Sequence, residues 1–181
     1  MKIEFINYTS LDLEAHKKVL DLRNKDAIQK QMATKGTICL DRHLQFVDML
    51  RSDTQRLYFA VFLDGLFIGG VSATNLDEKS CDWGVFFDED TNFVVKSVAV
   101  YSFLEYLFSS YEGVKIEAKV KQSNANALSF NKSFGFDVKQ KVVIQGGEYI
   151  HLDLGYEQFC GNKNVKAVQK RALKYEVEFK E

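Results

Sequence analysis

Residues 81–108, CDWGVFFDEDTNFVVKSVAVYSFLEYLF, carry the reading that decides the fold. Trp83, Val85, Phe86 and Phe87 form a short apolar run, Asp88 to Asn92 a polar break, and Val95, Val98, Ala99, Ser102, Phe103, Tyr106 and Leu107 recur at helical spacing. The stretch reads as strand, loop and helix, with the helix over about Lys96 to Ser109. A helix that begins where a strand ends turns its unpaired N–H groups and the positive end of its dipole toward the loop, a geometry suited to an anion such as phosphate. Val94 and Lys96 stand where a phosphate-cradling loop usually carries glycine.

On the N-terminal side of this unit, Leu57 to Leu63 and Leu66 to Thr74 are apolar, β-branched and aromatic, and Asp64-Gly65 between them is a two-residue hairpin turn. With the strand from Cys81 they make three antiparallel strands in succession. Further upstream, Lys2 to Tyr8 is a first strand. Thr9 to Asp12 is a capping pattern ahead of a helix to about Asn24, a short helix or turn runs to Met32, and Lys35-Gly36 breaks the chain. Leu40, Leu44, Val47 and Leu50 then mark the buried stripe of another helix. On the C-terminal side come a strand over Val114 to Val120, a short helix over Asn124 to Ser133, and strands over Asp137 to Ile144 and Tyr149 to Tyr156 joined across Gly146-Gly147. The order predicts an α/β fold: a mixed, mostly antiparallel sheet with helices on both faces. Residues 1–160 form one domain, and 161–181, with Val168, Ala172, Tyr175 and Phe179 at helical spacing, read as a C-terminal helical tail.

At 181 residues and 46% hydrophobic, the chain is long enough for one full core, much of it from fifteen Phe and eight Tyr. A formal charge of −1 gives no electrostatic footprint for nucleic acid or an anionic membrane. Cys39, Cys81 and Cys160 are far apart, odd in number and in no metal-ligand spacing, so reduced thiols in a cytoplasmic protein are expected, and no metal. The N-terminus lacks the apolar core of a signal peptide, and no run reaches the roughly 20 residues of a membrane span.

His16 lies within a helical pattern and His151 within a strand pattern, where hydrogen-bonded structural roles are usual. His43 differs in sitting at the first turn of its helix beside Asp41 and Arg42, where it could face a ligand. No Ser-His-Asp order, zinc spacing, paired carboxylates or nucleotide-binding glycine fingerprint is present. Composition and spacing by themselves stop at a soluble α/β domain.

Residues 121–136, KQSNANALSFNKSFGF, resemble the closing motif of the GNAT superfamily of N-acetyltransferases: an Asn, an Ala three residues on, a Lys and a terminal Gly-Phe. The element order matches that fold over about Lys2 to Tyr156, and agreement at two levels strengthens the resemblance. It implies acetyl-CoA as co-substrate, with Asn124 beside its pantetheine arm. Backbone N–H groups at about Val85, Phe86 and Phe87 would hold the pantetheine and stabilise the oxyanion as an amine attacks the thioester. The pyrophosphate loop falls on Thr91 to Lys96, where both family glycines are absent; Val94 and Val95 are β-branched, and Lys96 and Ser97 would meet phosphate by charge and hydroxyl. The family's general-acid tyrosine is replaced by Asn131, which can position but cannot give up a proton, leaving Tyr101 or a water as the acid.

A narrower likeness runs through VLDLRN at 19–24, LDRHLQF at 40–46, LYFAV at 57–61, Asn75 and Gly84. These are similar to the PseH-type enzymes of pseudaminic acid biosynthesis, which acetylate the amine of a UDP-linked amino-deoxy sugar. That resemblance implies a nucleotide-sugar partner, with Arg23 and His43 on the substrate side and Asn75 and Trp83 as substrate-binding residues along the cleft between substrate and cofactor. It is compatible with a homodimer. Arg23 equally suits a surface ion pair with Asp21 or Asp26. Acetylation of another primary amine, at a protein N-terminus or on a small amine, and a non-catalytic GNAT-like binding domain remain open on sequence.

Overall fold

The computed structural model describes residues 1–32 and 36–181; the break read at Lys35-Gly36 lies partly outside them. Eight strands form one sheet in the order β6-β7-β5-β4-β3-β2-β1-β8. They are β1 (Lys2–Asn7), β2 (Leu57–Leu63), β3 (Leu66–Thr74), β4 (Ser80–Phe87), β5 (Lys115–Lys121), β6 (Asp137–Ile144), β7 (Gly147–Leu154) and β8 (Glu176–Lys180). Only the β4–β5 and β1–β8 pairs are parallel. Helices α1 (Leu13–Arg23), α2 (Asp26–Gln29), α3 (Leu40–Leu50), α4 (Phe93–Ser110), α5 (Ala125–Ser133), α6 (Tyr156–Gly161) and α7 (Lys163–Ala172) complete the chain.

The two faces of the sheet are covered differently. On one face lies the main core, built by Phe59, Val71, Ile116 and Leu152 from the strands and Val98, Phe103 and Leu107 from α4, with Val165 and Val168 of α7 behind. Apolar on nearly every side, α4 is the central buried helix such a composition demands. On the other face a smaller cluster of Tyr8, Val19, Val47, Leu50, Ala60 and Phe62 holds α1 and α3. Asp64 and Gly65, at φ of 47° and 82°, make the hairpin turn that Asp-Gly favours.

Three boundaries depart from the sequence reading. Helix α4 starts at Phe93, three residues early, because Asn92 caps it by accepting from the Val94 N–H at 2.8 Å. The β6–β7 turn is centred on Gln145-Gly146, both at positive φ, one residue before the expected Gly146-Gly147. The expected helical tail is helical only through Ala172. Residues Glu176–Lys180 then lie parallel to β1, with Phe179 stacked on Phe5 at 4.3 Å and on Tyr106 at 4.4 Å. Alternation of Val177 and Phe179 with charged residues was the strand signal; it was masked because Phe179 also continues the helical period of Val168, Ala172 and Tyr175. The end of the chain is thus part of the same sheet.

Candidate active site

The geometry of the site follows from β4 and β5. They pair through Ser80–Lys115, Cys81–Ile116 and Asp82–Glu117 and then part. Beyond Asp82 the β5-facing edge of β4 has no ladder partner, so backbone polar groups of Trp83 to Phe87 border a cleft instead of a strand. At the parting point Asp82 accepts from Lys119 at 2.5 Å and from Asn75 at 2.7 Å, a clamp that pins the closed end. The cleft, of 320 Å³, is walled by β4, by Ala118 to Lys121 of β5, by Asn124, Ala127 and Asn131 at α5, and by Ile28 and Met32 from the α2 segment.

Across β4 lies a second cavity of 540 Å³ under α1 and α3. Its polar groups are Tyr8, Arg23, Arg42, His43, Tyr58, Ser72 and Thr74, and among the described residues its lining contains no carboxylate. Arg23 forms no ion pair with Asp21 or Asp26 among the described residues; its Nη1 is buried with no hydrogen-bond partner. Burial lowers the Arg23 pKa, while the nearby Tyr8 and Tyr58 act in the opposite sense. Burial also raises both tyrosines, so their hydroxyls stay protonated. His43 is pushed down to about 4, first by burial and then by His16, and is neutral at physiological pH. Cavity and cleft share Met32, Gly84, Val85 and Phe86. At that shared wall Gly84 leaves room for Ser72, since a Cβ there would stand 2.9 Å from Ser72 Oγ and push the hydroxyl aside.

The sequence-based candidates divide between these two spaces. Arg23 and His43 line the cavity, Val85 and Phe86 line both, and Phe87, Asn124 and Asn131 line the cleft. Trp83 lies in the cleft, where it stacks on Phe136 at 5.5 Å and its indole N–H donates to Asn131 Oδ1 at 3.2 Å. Asn131 in turn donates to the Ala127 carbonyl at 2.8 Å, so both its polar atoms are engaged and it works as a strut behind the cleft. Asn124 caps α5 by accepting from the Ala127 N–H. Asn75 is outside the cavity, in the Asp82 clamp, at φ of 51°.

The pyrophosphate loop also differs from expectation. No residue of 88–96 has positive φ, because Val94 and Val95 are already helical, and that conformation suits β-branched side chains. Val95 points into the core, and Ser97 is buried with its hydroxyl donating to the Phe93 carbonyl. Lys96 is the group that does reach the loop, through Nζ to the Glu89 carbonyl at 3.1 Å. Lys25 crosses from the α1–α2 junction to Asp88 at 2.8 Å. Tyr101, the tyrosine named as a possible acid, donates its hydroxyl to Glu105 on α4 and is not part of the cleft lining.

Sequence reasoning missed Tyr8, Tyr58 and Ser72, which local pattern assigns to strand and turn packing, and the pairing of His16 with His43. Tyr58 and Ser72 are paired across β2 and β3, and Tyr8 follows β1, whose register with β2 brings it alongside them. Among the described residues no group of three or more His, Cys, Asp or Glu stands together as a metal site, and no helix is long and apolar enough to cross a membrane.

No protein-family model matches the chain. Its sequence is 29% identical over 136 residues to an acetyltransferase PseH of Campylobacter jejuni, across 75% of this chain and 85% of that protein, and 27% identical to the PseH of a second strain. The solved structure of C. jejuni PseH in complex with acetyl coenzyme A superposes with a TM-score of 0.68 at 23% identity, over 85% of this chain and 99% of that one. The spermidine N-acetyltransferase of Vibrio cholerae, in complex with CoA and spermine, gives 0.74 at 16% identity, over 83% and 95%. The chain therefore has the fold of the GNAT N-acetyltransferases, and over three quarters of its length its sequence is similar to the PseH acetyltransferases.

Proposed function

We propose that the acceptor of this acetyl-CoA-dependent acetyltransferase is the primary amine of a nucleotide-linked amino-deoxy sugar of the UDP-4-amino type. The observation that carries the proposal is the Arg23 guanidinium, with Nη1 buried and unpartnered in a cavity that holds a second arginine and no carboxylate. A desolvated cation without a counterion is costly, and an incoming phosphate supplies both the charge and the forked acceptors it lacks. The same charge pattern speaks against a polyamine, which would meet two arginines and nothing acidic. Similarity to PseH supports a nucleotide sugar over other amines.

In this reading acetyl-CoA lies in the β4–β5 cleft, its pantetheine along Val85 to Phe87 with Asn124 alongside and its pyrophosphate near Lys96 and the α4 N-terminus. The sugar amine reaches the thioester through the wall the two spaces share at Gly84, where no side chain intervenes. The neutral amine attacks the carbonyl carbon, the C–N bond forms, and free backbone N–H groups of β4 receive the oxyanion. The C–S bond then breaks, the amine proton leaves to water, and the thiolate is protonated from solvent, since Asn131 has no proton to give. The test is calorimetry with UDP and acetyl-CoA separately: Arg23→Ala should weaken UDP at least tenfold and leave acetyl-CoA within twofold, and equal effects on both would overturn the assignment.

A further inference from the structure

His43 lines the acceptor cavity, and behind it on α1 stands His16; both rings are only 5% exposed. His16 Nδ1 is 3.0 Å from His43 Nε2. Ring centroids are 5.0 Å apart at an interplanar angle of 69°, and Tyr8 packs edge-on to His16 and tilted against His43. A nitrogen–nitrogen contact at that distance is a hydrogen bond with one proton in it, because two N–H groups would collide and two lone pairs would repel. His43 thus spends Nε2 on His16, and Nδ1 is the ring nitrogen left for a ligand.

We infer that His16 is a positioning residue for the acceptor: it holds His43 by Nε2, so that His43 meets the nucleotide portion of the substrate through Nδ1 as an uncharged hydrogen-bonding group. The inference rests on the cavity being the acceptor's seat. It gives the site an adaptable contact. When His16 supplies the shared proton, His43 carries its own on Nδ1 and donates to a phosphate or hydroxyl oxygen. When His43 supplies it, Nδ1 accepts instead. Either state leaves the pair neutral, and the positive charge of the cavity stays on Arg23 and Arg42.

The charged and titratable groups around the pair agree with this. Burial lowers His16 below the usual imidazole range; Asp12 at the start of α1 opposes the shift, and Arg51 at the end of α3 adds to it. Tyr8 and Tyr58 stay protonated, and Arg23 and Arg42 in the same cavity disfavour a further cation.

The test uses the full chain labelled with ¹⁵N, following the imidazole nitrogens from pH 4.5 to 8, with UDP as the binding probe. In the wild type His43 should stay uncharged above about pH 5.5, and the dissociation constant for UDP should be flat from there to pH 8. In His16→Ala the freed His43 should titrate nearer the ordinary value of about 6.5, UDP should bind about 3- to 10-fold more weakly at pH 8, and a pH-dependent limb should appear between 5.5 and 7.5. His16→Asn, whose amide offers both a donor and an acceptor to Nε2, should restore the flat profile. An unchanged His43 titration in His16→Ala, or a folded His16→Asn protein that fails to restore it, would overturn the inference. If UDP does not bind the wild type, the nucleotide reading fails, and the imidazole titration alone still decides whether His16 holds His43.

Discussion

The two spaces that meet at β4 are built on opposite principles. The acceptor cavity is defined by side chains: two arginines, a neutral histidine pair and two tyrosines, with no carboxylate in its lining. The cofactor cleft is defined by backbone: two strands that part after Asp82, walls of Val85, Phe87 and Ala118, and a helix start whose loop carries Asp88, Glu89 and Asp90, partly offset by Lys25 and Lys96. A cleft made by strand geometry can serve many relatives unchanged, whereas a cavity made by side chains sets the substrate. Under the proposed assignment of the two spaces, selectivity belongs to the α1 and α3 side of the sheet.

The largest separation between the regions should come from Arg23→Met. Loss of a charge-assisted hydrogen bond of about 1.5–3 kcal/mol corresponds to roughly 10- to 150-fold weaker UDP binding, read by calorimetry, with acetyl-CoA affinity unchanged. Because Arg23 Nη1 is buried with no hydrogen-bond partner among the described residues, the same change should leave the melting temperature level or raise it. A fall in melting temperature together with unchanged UDP binding would make Arg23 structural.

Asn131→Ala should act on the other region. It strands the Trp83 indole N–H at a cost of about 1–3 kcal/mol in stability, visible in denaturant unfolding. Trp83 is the sole tryptophan and lies in the cleft, so acetyl-CoA should change its fluorescence in the wild type, and Asn131→Ala should weaken that response while leaving UDP binding alone. Smaller still is the pH effect on the fold. His43 titrates near 4 in the native protein and near its ordinary value when unfolded, so between about 6.5 and 4 the unfolded chain binds the extra proton. Stability should therefore fall as pH drops through that window, and His43→Leu should flatten this slope in thermal melts. Least should come from Lys96→Ala: a few-fold weaker acetyl-CoA that converges on the wild type at high salt, as a surface charge contact should.

Much of the fold was legible because periodicity and turn chemistry agreed from β1 through β7, with Asp64-Gly65 the clearest turn. The strand at 176–180 was not, since Phe179 also continues the helical spacing of Val168, Ala172 and Tyr175, and pairing with the edge of β1 decides for the strand. In the site, Arg23 and His43 were legible through their residue type and resemblance. Trp83 and Asn75 were singled out by resemblance alone; the cleft that Trp83 lines and the Asp82 clamp that holds Asn75 depend on where β4 leaves β5, which no local pattern records. In the loop, the absence of glycine matches a backbone with no positive φ over 88–96, whereas the early helix start that Asn92 provides was not read.

The central claim is that charge in the acceptor cavity selects the amine, and a direct comparison of amines tests it. With acetyl-CoA saturating, initial rates of acetylation should be measured for a UDP-linked 4-amino sugar and for spermidine. The account expects kcat/KM for the nucleotide sugar to exceed that for spermidine by at least about 1,000-fold, and Arg23→Met to remove most of the difference. Equal or better turnover of spermidine, unaffected by Arg23→Met, would contradict it.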